Sequence, residues 1–463
     1  MRTRRDLLLH APAFLGSIAT ANAVGGDVPR PTAASIVITD LGAVGDSGTD
    51  CTAAIQRAID KAAVDGSRVL IPAGNFLVKG SLILRKNVSL VGVIAGTLAP
   101  GELAGSVVWA TGGRDHEDAP PLFQMESSTT VQGIGVFYPE QQVSDIHPYP
   151  WTFAIDTPHP TDQSRIFDNT LRDITLINSY NGIKVGPTDN GRHRIYDVVG
   201  CTLRRGIWAD HVRDIGRIQN VHLHCVYWAD RRNGGSWNPV FDYMQKNLEA
   251  FVFGRSDWEY VSNTFVFPAQ IGYRLIETTN GSCNGQFSGI GADATQVAFQ
   301  ADAMQHMGLL VTNGEFNSHL SGESIELLVT DTCKGNLRFV NCGFWGPVKH
   351  NVVIRGDLTA SFSDCYFCNN HGTEEYSIVA ERGKLQVNNC TFDAVPTETP
   401  SGRPFDYQGP HRSPPCIHLK SGLKHAIIRG NNGVDGVSIL NEIGNRAIIS
   451  DNEPAIHPSE SNG

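Results

Sequence analysis

Beyond its first thirty or so residues the chain has no apolar run approaching the ~18 residues of a membrane-spanning helix, and no membrane span is expected. It has no excess of positive charge: 37 Lys and Arg stand against 47 Asp and Glu, a formal net charge of -10, so the basic footprint of a nucleic-acid binder is missing. No glycine-rich phosphate loop joins a strand to a helix, and no Ser-His-Asp set is identifiable, which leaves nucleotide chemistry and serine-type hydrolysis without support. The Cys365-x-x-Cys368 pair has neither a second pair at zinc-site spacing nor the βαβ surroundings of a redox motif. No calcium-loop spacing occurs, so no cofactor is expected beyond a calcium ion that an acidic ridge could hold.

What is present begins with Arg4 and Arg5, a modestly apolar run, and Ala-Asn-Ala at 21–23. That order predicts an export signal of twin-arginine type over 1–23 and an exported protein, periplasmic or extracellular. A linker over 24–37 and a tail over 456–463 would flank one domain.

That domain repeats. "NGEF" at Asn313, "NCGF" at Asn341, "DCYF" at Asp364 and "NCTF" at Asn389 recur at spacings of 28, 23 and 25 residues, each inside an alternating run. Alternation marks strands, and the period marks a solenoid. With no helix between copies, the strands should stack as a parallel β-helix with ladders of like residues inside, Cys342, Cys365 and Cys390 forming one free-thiol ladder. "NGIKV" at Asn181, "RGIWA" at Arg205, "EAFVF" at Glu249 and "QVAFQ" at Gln296 read as corresponding strands of earlier coils. Eleven to thirteen coils are expected in one all-β domain over 38–455. Its open end needs a lid, and the apolar stripe Ala54, Ile55, Ala58, Ile59, Ala62 predicts a capping helix at about 51–65, with Asp50 or Thr52 as its cap.

The stretch "DLGAVGDSGTDCTAAIQRAIDKAAVDGSRVLIPAGNFLV" resembles the opening of the pectate-lyase-like superfamily, in the branch of rhamnogalacturonase, polygalacturonase and epimerase-like right-handed parallel β-helix proteins. The resemblance implies an extracytoplasmic protein acting on polysaccharides from the outer face of the helix. It carries no catalytic residue across. The Asn-Thr-Asp, Asp-Asp, Gly-His-Gly and Arg-Ile-Lys series of polygalacturonases is absent, and "DNTLRD" at Asp168 lacks the required acid.

Candidate site residues therefore come from the turn after each strand, where Asp210, Asp257, Glu259, Glu277 and Asp302 would stack into paired carboxylates. One would protonate a leaving oxygen and another would activate water or attack the sugar. Arg255, Trp258 and Arg274 beside them, with Trp228 and Trp237 from a long excursion, are expected to bind substrate. Proline-rich excursions around 148–161 and 396–415 could wall a groove. His222 and His224 alternate on one strand and would bind metal only with a third ligand; no metal site is expected. Three functions stay open: a glycoside hydrolase, favoured on the carboxylates; a lyase or epimerase on a uronate polymer, using Arg255 and Arg274; and a non-catalytic glycan-binding protein. The expected partner is a polysaccharide or oligosaccharide.

Overall fold

The computed structural model describes residues 35–94, 96–157, 165–318, 323–369, 375–394 and 415–455. The expected signal and tail, nearly all of the 396–415 excursion and the end of the 148–161 one lie outside the described residues.

Among the described residues, thirty-five strands form one hydrogen-bonded system in which every strand-to-strand pairing is parallel. The chain winds as a parallel β-helix. One interior column runs Ile36, Val69, Leu90, Val131, Leu171, Ile195, Ile218, Val261, Phe287, Val311, Phe339, Phe362, Val387, Ile428, and ends on the last rung at Ile449, which is exposed. That is more rungs than the repeats predicted, because the early coils lack the Asn-Cys-x-Phe signature. The first rung, Ser35–Val37, pairs with Arg68–Leu70 and falls within the stretch read as linker.

The repeated motif has a physical reading. Its Asn or Asp turns the chain: Asn313, Asn341, Asp364 and Asn389 all sit at φ of 52–55°, the left-handed region that these two residue types tolerate best. The Phe four positions along the motif points inward. Phe316, Phe344, Phe367 and Phe392 stack with ring centroids 5.1 Å apart at each step, and burying each ring is worth ~1.5–3 kcal/mol. Between them, the Cys342, Cys365 and Cys390 thiols each donate to the carbonyl two residues before, at 3.4 Å. All ten cysteines are free and buried.

Helix α1, Thr52–Asp65, closes the N-terminal end with Ala54, Ile55, Ala58, Ile59 and Ala62 buried. The Asp50 carboxylate accepts the Thr52 N–H at 3.0 Å, and Gly66 ends the helix in the left-handed conformation. A second helix, α2, Trp237–Asn247, lies inside the excursion that had read as a loop. It docks because Val240 and Met244 turn into the core, where Met244 meets Cys201. Among the described residues no helix is long and apolar enough to cross a membrane.

Each full coil in the later part contributes to three stacks. The first contains Trp151–Ile155, Glu249–Phe253, Ala269–Leu275, Thr295–Ala301 and Ile325–Val329; the second contains Cys283–Ser288, Leu309–Thr312 and Lys334–Val340; the third contains Gly291–Ala292, Glu315–Phe316, Gly343–Gly346 and Tyr366–Asn369. The two 16-residue strands Thr170–Val185 and Arg194–Ala209 bend round a corner and supply the first stack with their last five residues.

Candidate functional site

In the first stack, Phe153, Ile183, Ile207, Phe251, Tyr273 and Phe299 point inward on successive rungs. The next residue of each strand must then point out. Ala154, Lys184, Trp208, Val252, Arg274 and Gln300 form that outward column, and Trp151, Asn181, Arg205 and Glu249 stand beside it at the strand starts. Trp151 and Trp208 are half-buried, each with a cation near its ring: Arg205 at 5.9 Å and Lys184 at 5.8 Å from the centroids.

Acids and guanidiniums alternate along this face. Glu117 accepts from Arg205 at 2.7 Å; Arg205 is one rung from Glu249; Glu249 accepts from Arg274 at 2.5 Å; and Arg274 donates to Asp302 at 2.8 Å. Burial opposes the Arg274 charge, but the hydrogen bond to Asp302 and the charges of Glu249 and Asp302 prevail and raise its pKa.

Glu117 reaches the ladder from a loop fastened to its neighbour. His147 contacts Asp115 at 2.8 Å, Asp145 at 3.1 Å and Arg114 at 2.5 Å, while Gln141 exchanges two hydrogen bonds with the His147 backbone. Asn181 donates to Glu117 at 3.1 Å and to the Tyr149 carbonyl at 3.0 Å. Near Glu117 stands α2, from which Tyr243 meets Tyr180. Burial, then the Glu117 charge, raises the Tyr180 phenol; burial, then Tyr180, pushes Tyr243 up to about 12. Both phenols keep their protons at neutral pH.

The ten residues expected from the sequence divide among four places. Arg274 and Asp302 lie on this face. Asp210, Arg255, Asp257 and Trp258 gather round the following turn. There Asp210 is buried, accepting from the Arg255 N–H at 2.8 Å, Thr278 at 2.8 Å and Asn280 at 2.9 Å. Asp257 is held by Arg255 and by Gln305 at 2.7 Å. Trp258 is 51% exposed and Glu277 is exposed. The acids do not form one column, because the position of Asp210 is taken by Gly254, Ile276 and then Asp302 on the next rungs, as their N–H bonds to the preceding strand show.

Glu259 and Trp228 point inside. A register shift between Ser256 and Glu259 turns the Glu259 side chain inward at 0% exposure, where it accepts from Ser256 at 2.6 Å and pairs with His193 at 2.9 Å. Gly216 makes room for this pair; a Cβ there would lie 2.2 Å from the His193 ring. Trp228 is fully buried with its indole N–H on the Asn233 carbonyl at 2.7 Å, so it has no face to offer a sugar. Trp237, 42% exposed, joins His222, His224 and Phe267 on the third-stack side. Burial, then the His222 charge, lowers His224 to about 4, which keeps it neutral and aromatic in character. Among the described residues no group of three or more His, Cys, Asp or Glu is arranged to hold a metal ion.

Sequence reasoning missed Glu117, Tyr180, Lys184 and Trp208, while Tyr243 had stood out only as part of the long excursion. It had aligned Asn181, Arg205 and Glu249 as equivalent strand starts, and the structure puts them on successive rungs; three polar residues in succession there were the available signal. Farther along the same face lies a second charged groove of about 520 Å³, with His350, Arg355, Tyr376, Glu381, His418 and Lys420 among its lining.

Residues 35–99 match the family described as "Rhamnogalacturonase A/epimerase, pectate lyase-like". The match covers only the opening of the chain, from the first rung through the capping helix and the first coils. No curated protein matches the sequence. Among solved structures, the pre-mature gene product 12 of bacteriophage phi29 aligns with a TM-score of 0.55 at 12% identity, over 91% of this chain and 58% of that one. Its N-terminal fragment gives 0.54 at 14% identity, over 86% and 66%. The A-module of a mannuronan C-5 epimerase from Azotobacter vinelandii gives 0.43 at 12% identity, over 90% and 100%. The chain thus spans about 58% of the length of the phage protein, and identity this low shows a shared fold alone.

Proposed function

We propose that the protein is a carbohydrate-active enzyme working on a uronate-containing polysaccharide by proton abstraction next to the carboxylate, as a lyase or an epimerase. The observation that carries this reading is the alternation of Arg205, Glu249 and Arg274 on a face floored by two half-buried tryptophans and walled by Glu117, Tyr180 and Tyr243. The matched family's description, which names a rhamnogalacturonase and an epimerase, is in keeping with it.

The chemistry follows from the groups. A uronate C5–H is acidic only when its carboxylate charge is neutralised, and Lys184 and Arg205 are placed to do so. Glu117 takes the C5 proton, and the electron pair moves into the carboxylate as an enolate. If the protonated Tyr180–Tyr243 pair returns a proton to C5 from the other side, the sugar is epimerised. If that pair protonates O4 instead, the C4–O4 bond breaks and an unsaturated uronate leaves. Trp151 and Trp208 offer faces for the sugar rings.

Incubation with polygalacturonate and alginate in deuterated water tests this. Deuterium at C5, or ultraviolet absorbance of unsaturated ends, is expected, with a loss of roughly 10²–10⁴ in rate for Glu117→Gln. New reducing ends without either signal would overturn the reading in favour of hydrolysis.

A further inference from the structure

The third stack carries a groove of about 440 Å³ with a different chemistry. Its floor is Gly291. Its strand pairs with the Phe265 segment on one side and with Glu315 on the other, so the outward column reads Phe265, Gly291, Glu315, Gly343. The missing side chain at Gly291 opens the cleft, since a Cβ there would lie 2.8 Å from the Phe265 ring. At the far end stands Trp345, 37% exposed, its indole N–H fixed on the Glu315 carboxylate at 2.9 Å. Asn263 and Asn313 edge the cleft from the turn ladder, both at left-handed φ. Trp237, His224 and Phe267 extend the aromatic surface beyond Phe265, with ring centroids 4.7–6.3 Å apart.

We infer that this groove is a binding site for an uncharged glycan segment, separate from the proposed catalytic face. Sugar rings need an apolar plane for their C–H faces and divergent acceptors and donors for their hydroxyls, and here an indole and a phenyl ring alternate with two amides and a carboxylate. Charge selects the class of ligand. Among the described residues that line the groove there is no lysine or arginine, whereas Asp293 and Glu315 are acidic, so a uronate chain is repelled and a neutral one is not. Phe265 to Trp345 covers three rungs, ~14 Å, which is long enough for a disaccharide. A neutral branch or backbone segment bound here would hold the polymer on the protein while its uronates are worked on elsewhere. That coupling rests on the proposed function; the binding itself does not.

Affinity electrophoresis of the full chain through gels containing soluble galactan, arabinan, β-glucan or mannan, with polygalacturonate as the anionic arm, tests the site. Retardation by at least one neutral polymer is expected, with a tenfold or greater loss of affinity in Trp345→Ala and in Glu315→Ala, both exposed positions whose loss leaves the interior intact. Activity on short uronate oligomers should be unchanged in those variants, and Glu117→Gln should keep the retardation. Retardation undiminished in Trp345→Ala, or none by any neutral polymer, overturns the inference. So does a stable oligomer that Trp345→Ala dissociates, since the face would then be a subunit interface. Loss of uronate chemistry with neutral binding intact would count against the proposed function alone.

Discussion

The outward faces of the first and third stacks are made by the same winding of the same chain, yet they carry opposite chemistry. The first presents Lys184 together with Arg205 and Arg274, the two arginines paired with acids; the third presents aromatic rings and amides, with no cation among the described residues that line its groove. The difference arises at alternate residues of each strand, because the inward positions are committed to ladders such as Phe316–Phe344–Phe367. A β-helix thus fixes where outward residues sit and leaves their chemistry free.

The contrast breaks most sharply if Arg205 is not an anion ligand. Arg205→Gln should cut turnover of a uronate polymer by two orders of magnitude or more, about 3 kcal/mol, with neutral-glycan retardation unchanged. Next is Arg274→Met, which leaves Glu249 and Asp302 as part-buried carboxylates without their cation, Asp302 keeping only the Gln300 amide at 2.9 Å, and should cost about 2–3 kcal/mol at pH 7 in denaturant unfolding. Arg274→Lys, which keeps the charge, should recover part of that loss. A deficit that Arg274→Lys leaves undiminished would make Arg274 a packing strut.

A smaller effect belongs to the interior between the faces. Glu326 is fully buried, and burial raises its pKa well above the usual range, against the partial relief of the Asn351 amide at 2.7 Å and the Trp345 backbone. A carboxyl with a raised folded pKa contributes fully below its unfolded value, ~4.3, and loses that contribution as pH rises. Glu326→Gln should therefore stabilise the protein by about 1–3 kcal/mol at pH 7–8, with the gain fading near pH 4.5. Calorimetry at the two pH values separates this from a gain that is independent of protonation.

The later coils were readable from sequence because one motif joins three constraints: a left-handed turn that wants Asn or Asp, a small thiol, and a stacked Phe. The site was less so. Asn181, Arg205 and Glu249 were aligned correctly, whereas "QVAFQ" was set one residue off, since Val297 and not Gln296 is equivalent to Glu249. A one-residue slip exchanges inside for outside. Glu259 shows the same effect, because the register shift after Ser256 that turns it inward leaves no mark in an alternation pattern. Glu117 lies 88 residues from Arg205, and no local pattern links them.

The smallest predicted effect concerns Trp258, whose φ of 66° places a bulky ring in the left-handed region. Such a conformation is costly for a large side chain and persists where surrounding contacts impose it. Here the Trp258 N–H donates to Asn284 at 2.7 Å, and Asn284 in turn donates to Gln305 at 2.7 Å, so the turn is held by backbone and amides and not by the indole. Trp258→Asn, which suits this φ, should then gain about 0.5–1 kcal/mol in denaturant unfolding. If the indole also stacks on a sugar, the same variant must lose affinity for the polymer that the first-stack face turns over. Unchanged affinity with raised stability would remove this turn from the binding surface, leaving Trp151 and Trp208 as the stacking residues there.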